Sequence, residues 1–277
     1  METLYGKPVA EAITRELRQR IDALGRAPRL GVLQVGDAPG GAAYLRSVEK
    51  RAVSLGVALS ITRLPADCGT EQALAAVDAM NADPTLDGCL LLRPMPRELD
   101  EDRVCQRLRA EKDVDGITNQ SLGLLFTGEG QGHPPCTAEA CLRLLDHYGV
   151  QLSGARVTVV GRSLVVGRPL SLMLTARDAT VTLCHSRTRD LPQRCREAEI
   201  LICAAGRAGL IREAWVRADQ VILDVGTSLD AQGRLRGDVA FEEVSPLVRA
   251  VTPVPGGVGN VTTAVLMEHV VRAAEGK

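Results

Sequence analysis

The chain has 277 residues, 45% of them hydrophobic and 24% charged, with a formal net charge of -1. That length exceeds one small core and predicts two domains of ordinary size. The balanced charge gives no long-range attraction to nucleic acid or anionic lipid, so partners of those kinds are not expected. No stretch reaches the roughly 18 apolar residues of a membrane span, and the start METLYGKPVAEAITRELRQR lacks an apolar signal region, so a cytoplasmic protein is expected. The eight cysteines form no C-x-x-C pair and several sit in apolar runs, which predicts buried reduced thiols. The four histidines are scattered, and no metal site is expected.

Val9, Ile13, Leu17, Ile21 and Leu24 recur at helical spacing, and RLGVLQVG follows as a buried parallel strand. A helix over residues 43–55 comes next, then the strand ALSITRLP, the helix TEQALAAVDAMNAD and the strand DGCLLLRPMP. On the first of these helices, at about 100° per residue, Val48 lies under Tyr44 and Lys50 is turned well away. Aromatics are 2% of the chain, so a tyrosine that shows a face there has a reason to be present. After EKDVDG comes a Gly- and Pro-rich loop, TGEGQGHPPCT, and the domain boundary is placed near it. Thr137 is expected to cap the helix AEACLRLLDHY. The second half runs strand ARVTVVG, helix RPLSLMLTARD, strand TVTLCHS, helix LPQRCREA, strand EILICAAG, a short helix around Trp215, strand QVILDVG and a last helix VTTAVLMEHVVRAA. This alternation predicts an α/β protein of two α/β domains, the second a Rossmann-type parallel sheet.

Three strings carry chemistry. VTVVGRSLVVGRP puts glycines in a strand-to-helix turn, where backbone N–H groups and a helix N-terminus can face a phosphate, although Gly161 and Gly167 are not spaced as G-x-G-x-x-G. The next strand ends in His185, Ser186 and Arg187 without the acid that binds the ribose hydroxyls of NAD; with Arg162 in the glycine turn, this favours NADP. TPVPGGVGN before the last helix allows close backbone approach to a flat ligand. In EKDVDG, Asp113 and Asp115 flank a valine, so in an extended chain their side chains point to opposite faces and one of them serves a given pocket.

EKDVDG, PCT, VVGRSLVVGRP, TLCHS, GDVAFEE and TPVPGGVG occur in an order and at separations that resemble the bifunctional methylenetetrahydrofolate dehydrogenase/methenyltetrahydrofolate cyclohydrolase family over essentially the whole chain. The resemblance implies a folate-binding catalytic domain over 1–136, an NADP-binding Rossmann-type domain over 137–258, and a C-terminal helix over 259–277 that packs back on the first domain, with a folate cleft between the domains. It implies tetrahydrofolate derivatives as substrates, NADP as cofactor and a homodimer. Tyr44 and Asp115 become the catalytic candidates: Tyr44 against the folate ring, Asp115 anchoring the amino-pterin edge. Leu91, Leu92, Arg93 and residues Pro255, Gly256, Gly257, Val258 and Gly259 would line the folate pocket. Gly161, Arg162, Ser163 and Ser186 would hold NADP, with Thr227 near the nicotinamide.

The chain departs from the family pattern where hydrolysis is concerned. The family has a lysine four residues after the tyrosine and a glutamine before the P-x-P segment; here those places hold Val48 and Leu92. Asn260 stands where the family usually has proline. Arg93 is no substitute base, because a guanidinium stays protonated. The expected function is therefore an NADP-linked methylenetetrahydrofolate dehydrogenase with weak or absent cyclohydrolase activity. Two rival readings are a catalytically silent folate or NADP binding protein, which gives no NADPH, and a Rossmann oxidoreductase on a non-folate substrate, which folate does not stabilise.

Overall fold

The computed structural model describes residues 1–230 and 232–276. In chain order the elements are β1 (Glu2–Thr3), α1 (Gly6–Leu24), β2 (Arg29–Val35), α2 (Pro39–Leu55), β3 (Ala58–Leu64), α3 (Thr70–Ala82), β4 (Gly88–Leu91), α4 (Glu101–Gln106), α5 (Asn119–Thr127) and α6 (Cys136–His147). They continue as β5 (Arg156–Val160), α7 (Gly167–Thr175), β6 (Thr180–Cys184), α8 (Leu191–Glu197), β7 (Ile200–Cys203), β8 (Val221–Asp224), β9 (Ser228–Leu229), β10 (Leu235–Arg236), α9 (Phe241–Val244), β11 (Ala250–Val251) and α10 (Val258–Glu275). Two compact α/β units result: Ala12–Cys136 together with the residues from Thr263 onward, and Met1–Glu11 together with Thr137–Thr262.

The first unit is built on a three-stranded parallel sheet of order β3-β2-β4. Apolar residues occupy both faces of β2, with Leu30, Val32 and Leu33 fully buried, as expected for a strand covered by helices on both sides. The chain runs from β2 to β3 on one flank and then to β4 on the other, so the strand order reverses between β2 and β4. Ligands of open α/β sheets bind outside the carboxyl ends of the strands at such a reversal. Those ends lead into α2, which carries Tyr44, and into Leu92 and Arg93. A parallel bridge from Cys89 to Asp113 lays the segment containing Asp115 alongside β4. The buried side chains of Leu33, Val35, Val77, Leu91, Met95 and Val104 belong to one continuous core beneath this edge.

The second unit holds a six-stranded, all-parallel sheet of order β1-β11-β8-β7-β5-β6. It repeats the same logic: β5 passes to β6 on one side, then to β7 on the other, which puts a reversal between β5 and β7. The strands β7 and β8 are buried along their whole length, consistent with a doubly wound sheet.

Several local expectations are corrected. The strand β1 pairs with β11, so residues 1–11 belong with the second sheet and not with the first unit. Around Trp215 there is a single 3₁₀ turn, Glu213–Trp215. The helix α6 starts at Cys136, which puts Thr137 in its first turn and not at its cap. The helix α10 begins at Val258, so Val258 and Gly259, read as loop, form its first turn. The helix α5 falls in a stretch to which the apolar pattern assigned nothing; Thr118 caps it, its hydroxyl accepting from the Ser121 amide at 3.1 Å.

Candidate active site

In the first unit the site is assembled around a turn. Asp113 is fully buried, and its carboxylate accepts hydrogen bonds from the Ile117 amide (3.1 Å), the Thr118 amide (2.8 Å) and the Ser121 hydroxyl (2.7 Å). The chain must reverse tightly to bring these donors to one residue. Gly116 does so at φ 69°, where a Cβ would sit 2.5 Å from the Pro134 carbonyl carbon. Asp113 is committed to its own loop, while Asp115, in the turn that follows it, is half-buried; the extended stretch expected around Val114 is a turn.

Asp115 keeps 18% of its side-chain surface exposed and lies 3.8 Å from the Arg93 guanidinium, itself 25% exposed. Burial pushes the Asp115 carboxyl up to about 6; Arg93 opposes that rise, Asp113 adds to it, and Cys136 and His269 oppose it. Tyr44 is half-buried, and burial, then the charges of Asp115 and the Cys136 thiol, hold its phenol well above the ordinary range. One helical turn further, Val48 is fully buried with Leu45, Ala52 and Leu55 on the same apolar stripe of α2. Leu92 is buried as well, its amide donating to the Leu33 carbonyl at 2.9 Å, and Lys50 is exposed.

The support behind Asp115 was not legible in the sequence. His269 of α10, fully buried, donates from Nδ1 to the Val114 carbonyl at 2.9 Å, and the Cys136 thiol donates to the same oxygen at 3.2 Å. The His133 ring stacks on His269 with centroids 4.5 Å apart. These residues lie far apart in sequence, and a buried histidine on an apolar helix was the one available signal.

The second unit carries the glycine turn between β5 and α7. Gly161 has φ 130°, and a Cβ there would lie 2.1 Å from the Ala204 carbonyl oxygen at the end of β7. A Cβ at Gly167 would lie 1.9 Å from the Gly161 carbonyl oxygen. Any side chain at either position breaks the turn. Within it the Ser163 hydroxyl accepts the Val166 amide at 3.1 Å, and Arg162 and Ser163 are exposed. After β6, the His185 amide donates to Thr188 Oγ1 at 2.8 Å and the Arg187 amide to His185 Nδ1 at 3.1 Å, a compact turn that leaves Ser186 and Arg187 exposed. A cradle of this shape, with exposed cationic and hydroxyl side chains at two neighbouring strand ends, suits a phosphorylated dinucleotide.

A further pair of acids organises this unit. Asp238 in GDVAFEE, fully buried, accepts the amides of Ala205 (2.5 Å), Gly206 (3.0 Å) and Arg207 (2.6 Å) and so fixes the loop after β7. Asp224 at the end of β8 accepts the amides of Asp238 and Val239, each at 2.9 Å, and of Gly226 at 3.1 Å. Burial raises the Asp224 carboxyl to about 7 against the pull of those amides. Thr227, just beyond Gly226, is exposed. The sequence reading quoted GDVAFEE without giving either acid a role.

Of the proline–glycine string, Pro255 and Gly259 are exposed, Gly256 is half-buried, and Gly257 and Val258 are buried. Gly256 accepts the Gly6 amide at 2.8 Å, and a Cβ on Gly6 would lie 2.0 Å from the Gly257 oxygen, so the start of α1 packs directly on this loop. Tyr44, Leu91, Leu92, Arg93 and Asp115 thus belong to the first unit, while the glycine turn, Ser186, Thr227 and residues 255–259 belong to the second. Among the described residues no group of three or more His, Cys, Asp or Glu is arranged to hold a metal ion, and no helix is long and apolar enough to cross a membrane.

Comparison with known proteins divides the chain into two consecutive segments, whereas in the fold each end of the chain joins the other unit. Residues 4–115 match the tetrahydrofolate dehydrogenase/cyclohydrolase catalytic domain, and residues 135–277 match the NAD(P)-binding domain of the same family. The chain is 43% identical over 279 residues to the bifunctional protein FolD of Carboxydothermus hydrogenoformans, covering 99% of this chain and 97% of that protein. It superposes on the FolD dehydrogenase/cyclohydrolase of Campylobacter jejuni with a TM-score of 0.96 at 35% identity, covering 100% of this chain and 99% of the other. The Trypanosoma brucei FolD enzyme, solved with NADP and an inhibitor, gives 0.93 at 32% identity, covering 99% and 97%.

Two outcomes follow from this geometry. Asp113→Ala strands two amides and a hydroxyl, each unsatisfied buried group costing about 1–3 kcal/mol, so urea unfolding should show a loss of about 3 kcal/mol or more. An unchanged urea midpoint would show that Asp113 does not hold the turn. The second outcome concerns Asp115, raised to about 6 in the fold and near about 3.9 when unfolded. Its stabilising share is complete below about pH 4 and lost as pH rises through about 6. Asp115→Asn should therefore gain on the parent as pH rises across that window, by on the order of 3 kcal/mol at neutral pH. A stability difference that stays flat with pH would mean that Asp115 titrates as it does in water.

Proposed function

The chain belongs to the tetrahydrofolate dehydrogenase/cyclohydrolase family, and on that premise we propose that it is an NADP-linked methylenetetrahydrofolate dehydrogenase with weak or absent cyclohydrolase activity. Its reaction is the oxidation of 5,10-methylenetetrahydrofolate to 5,10-methenyltetrahydrofolate. The observation that carries the distinction is the burial of two apolar side chains, Val48 and Leu92, where the family resemblance places the hydrolytic lysine and its glutamine. A cytoplasmic homodimer acting on tetrahydrofolate derivatives is the setting this reading takes from the family.

Hydride transfer asks for reactants held face to face and a developing cation tolerated, with no obligatory protein acid or base. In this reading the Asp115 carboxylate anchors the amino-pterin edge and places negative charge near the cation. Tyr44 lies against the ring system and Leu91, Leu92 and Arg93 line the same edge; the family resemblance also assigns Pro255, Gly256, Gly257, Val258 and Gly259 to folate binding. Gly161, Arg162, Ser163 and Ser186 hold NADP, with Thr227 beside the nicotinamide; the fit rests on a turn in which two glycines admit no Cβ. When bound, the nicotinamide supplies the hydride acceptor. Arg162, Ser186 and Arg187 offer donors to a 2'-phosphate, and no acid competes for the ribose.

Hydrolysis of the methenyl product needs water delivered to the bridging carbon and protons moved, work for which a positioned base is commonly worth about 10² to 10⁴ in rate. Neither Val48 nor Leu92 can do it. The decisive assay follows NADP reduction with methylenetetrahydrofolate and then the absorbance of methenyltetrahydrofolate, which should accumulate. Absence of NADPH formation would overturn the dehydrogenase reading. Val48→Lys with Leu92→Gln should speed methenyl decay above the uncatalysed rate and change dehydrogenation little; Val48→Lys alone should do less, because its amine lacks a polar neighbour. Rapid decay with the unaltered protein would show that another group replaces the lysine.

Arg162→Ala should weaken NADP and spare NAD, by about 1.5 to 3 kcal/mol for loss of a charge-assisted hydrogen bond. Equal affinity of the unaltered protein for the two nucleotides would remove the 2'-phosphate assignment.

A further inference from the structure

Arg93 stands two residues beyond the end of β4, beside the reversal of the three-stranded sheet, with 25% of its side chain exposed. Such a group carries five N–H donors in a rigid fork. Among the described residues its paired acceptor is Asp115, and at 3.8 Å that contact is an ion pair and not a hydrogen bond. The fork is partly exposed and makes no hydrogen bond with Asp115, so its donors are open to an acceptor that arrives with a ligand. Beside it Asp115 presents the opposite character, a carboxylate with 18% exposure. Tyr44, half-buried and within reach of both charges, adds an aromatic surface.

An acceptor and a donor fork set side by side next to a ring complement a flat heterocycle whose edge carries N–H groups adjacent to a carbonyl. The 2-amino-4-oxopyrimidine edge of a pterin is of this kind: its amino and ring N–H groups suit the carboxylate, and its 4-oxo group suits the guanidinium. We propose that Arg93 is a specificity residue that reads the 4-oxo group of the pterin while Asp115 takes the neighbouring N–H groups, so that the site selects 2-amino-4-oxo over 2,4-diamino rings. The proposal rests on the folate reading of this site and adds to it the atom that Arg93 recognises.

The sign of the selectivity separates Arg93 from Asp115. A 2,4-diaminopyrimidine is more basic than its 4-oxo counterpart, and its protonated form pairs well with a carboxylate, so Asp115 alone would favour the diamino ring. With Arg93 present, the 4-amino group sets donor against donor and the protonated ring meets a fixed cation. Lysine in place of Arg93 keeps the charge and loses the planar fork.

The test is calorimetric titration of the NADP-loaded protein with tetrahydrofolate and with 4-amino-4-deoxytetrahydrofolate, which differ at that one substituent. The unaltered protein should bind the 4-oxo ligand at least about tenfold more tightly, a ratio worth about 1.4 kcal/mol. Arg93→Met should weaken the 4-oxo ligand by about the same factor and erase or invert the preference, with NADP affinity unchanged. Arg93→Lys should retain part of the preference. Equal or tighter binding of the 4-amino ligand by the unaltered protein overturns the proposal, as does an Arg93→Met variant that loses both ligands by one factor. Should Arg93→Met fail to fold, the ratio in the unaltered protein and in Arg93→Lys decides. Binding of neither ring by the unaltered protein overturns the folate reading itself, which is a different result from folate binding without selectivity.

Discussion

The carboxylate of Asp113 is the constraint on which the first unit's site depends. It takes no part in a pocket: it is fully buried and gathers two amides and a hydroxyl from the five residues between Ile117 and Ser121. That gathering turns the chain at Gly116, gives α5 its start at Thr118, and leaves the Asp115 carboxyl outside the set of contacts that Asp113 makes. Asp115 then meets Arg93 because Asp113 is bridged to Cys89 in β4 and Arg93 emerges from the end of that strand. His269 and Cys136 bind the intervening Val114 carbonyl from behind. A partly exposed acid is thereby positioned by a fully buried one two residues away, through backbone geometry.

The second unit uses acids in the same manner. Asp238 holds three successive amides of the loop after β7, and Asp224 holds the amides of Asp238 and Val239 in turn. The Gly161 turn packs against Ala204 at the head of that loop, so the shape of the nucleotide cradle follows from a chain of carboxylate–amide contacts running from β8 to β5. In both units a buried acid sits beside a loop and gathers its backbone amides, which no sheet ladder pairs. Carboxylates are well suited to that place, because each oxygen accepts more than one donor.

What the sequence revealed followed from local periodicity. The apolar stripe Leu45–Val48–Ala52–Leu55, the buried run of β2 and the tight glycines at 161 and 167 each express a rule that acts within a few residues, and the structure bears them out. The extended stretch expected around Val114 is instead a turn, so Asp113 and Asp115 are separated by that turn and not by strand alternation. The pairing of β1 with β11 was beyond reach, because a two-residue strand has no period and its partner lies at the far end of the chain. The convergence of Cys136 and His269 on one carbonyl was equally hidden, since 133 positions separate them. The start of α10 at Val258 was missed because glycine and proline read as loop even where the first turn of a helix tolerates them.

The pattern of polar and apolar groups around Asp115 bears on how two reactions that share a ligand part company in the proposed reading. Tyr44, Arg93 and Asp115 are polar and partly exposed, whereas Val48 and Leu92, next to them in chain and fold, are buried hydrocarbon. Groups that orient a ring by its edge need fixed donors and acceptors, and those are present. Groups that activate water must also hold it, which takes two to four polar partners per molecule. The side chains of Val48 and Leu92 offer a water neither a base nor a hydrogen bond. In the proposed reading, recognition and hydride transfer draw on the polar set and hydrolysis on the places that Val48 and Leu92 fill, so the first reaction stays complete without the second.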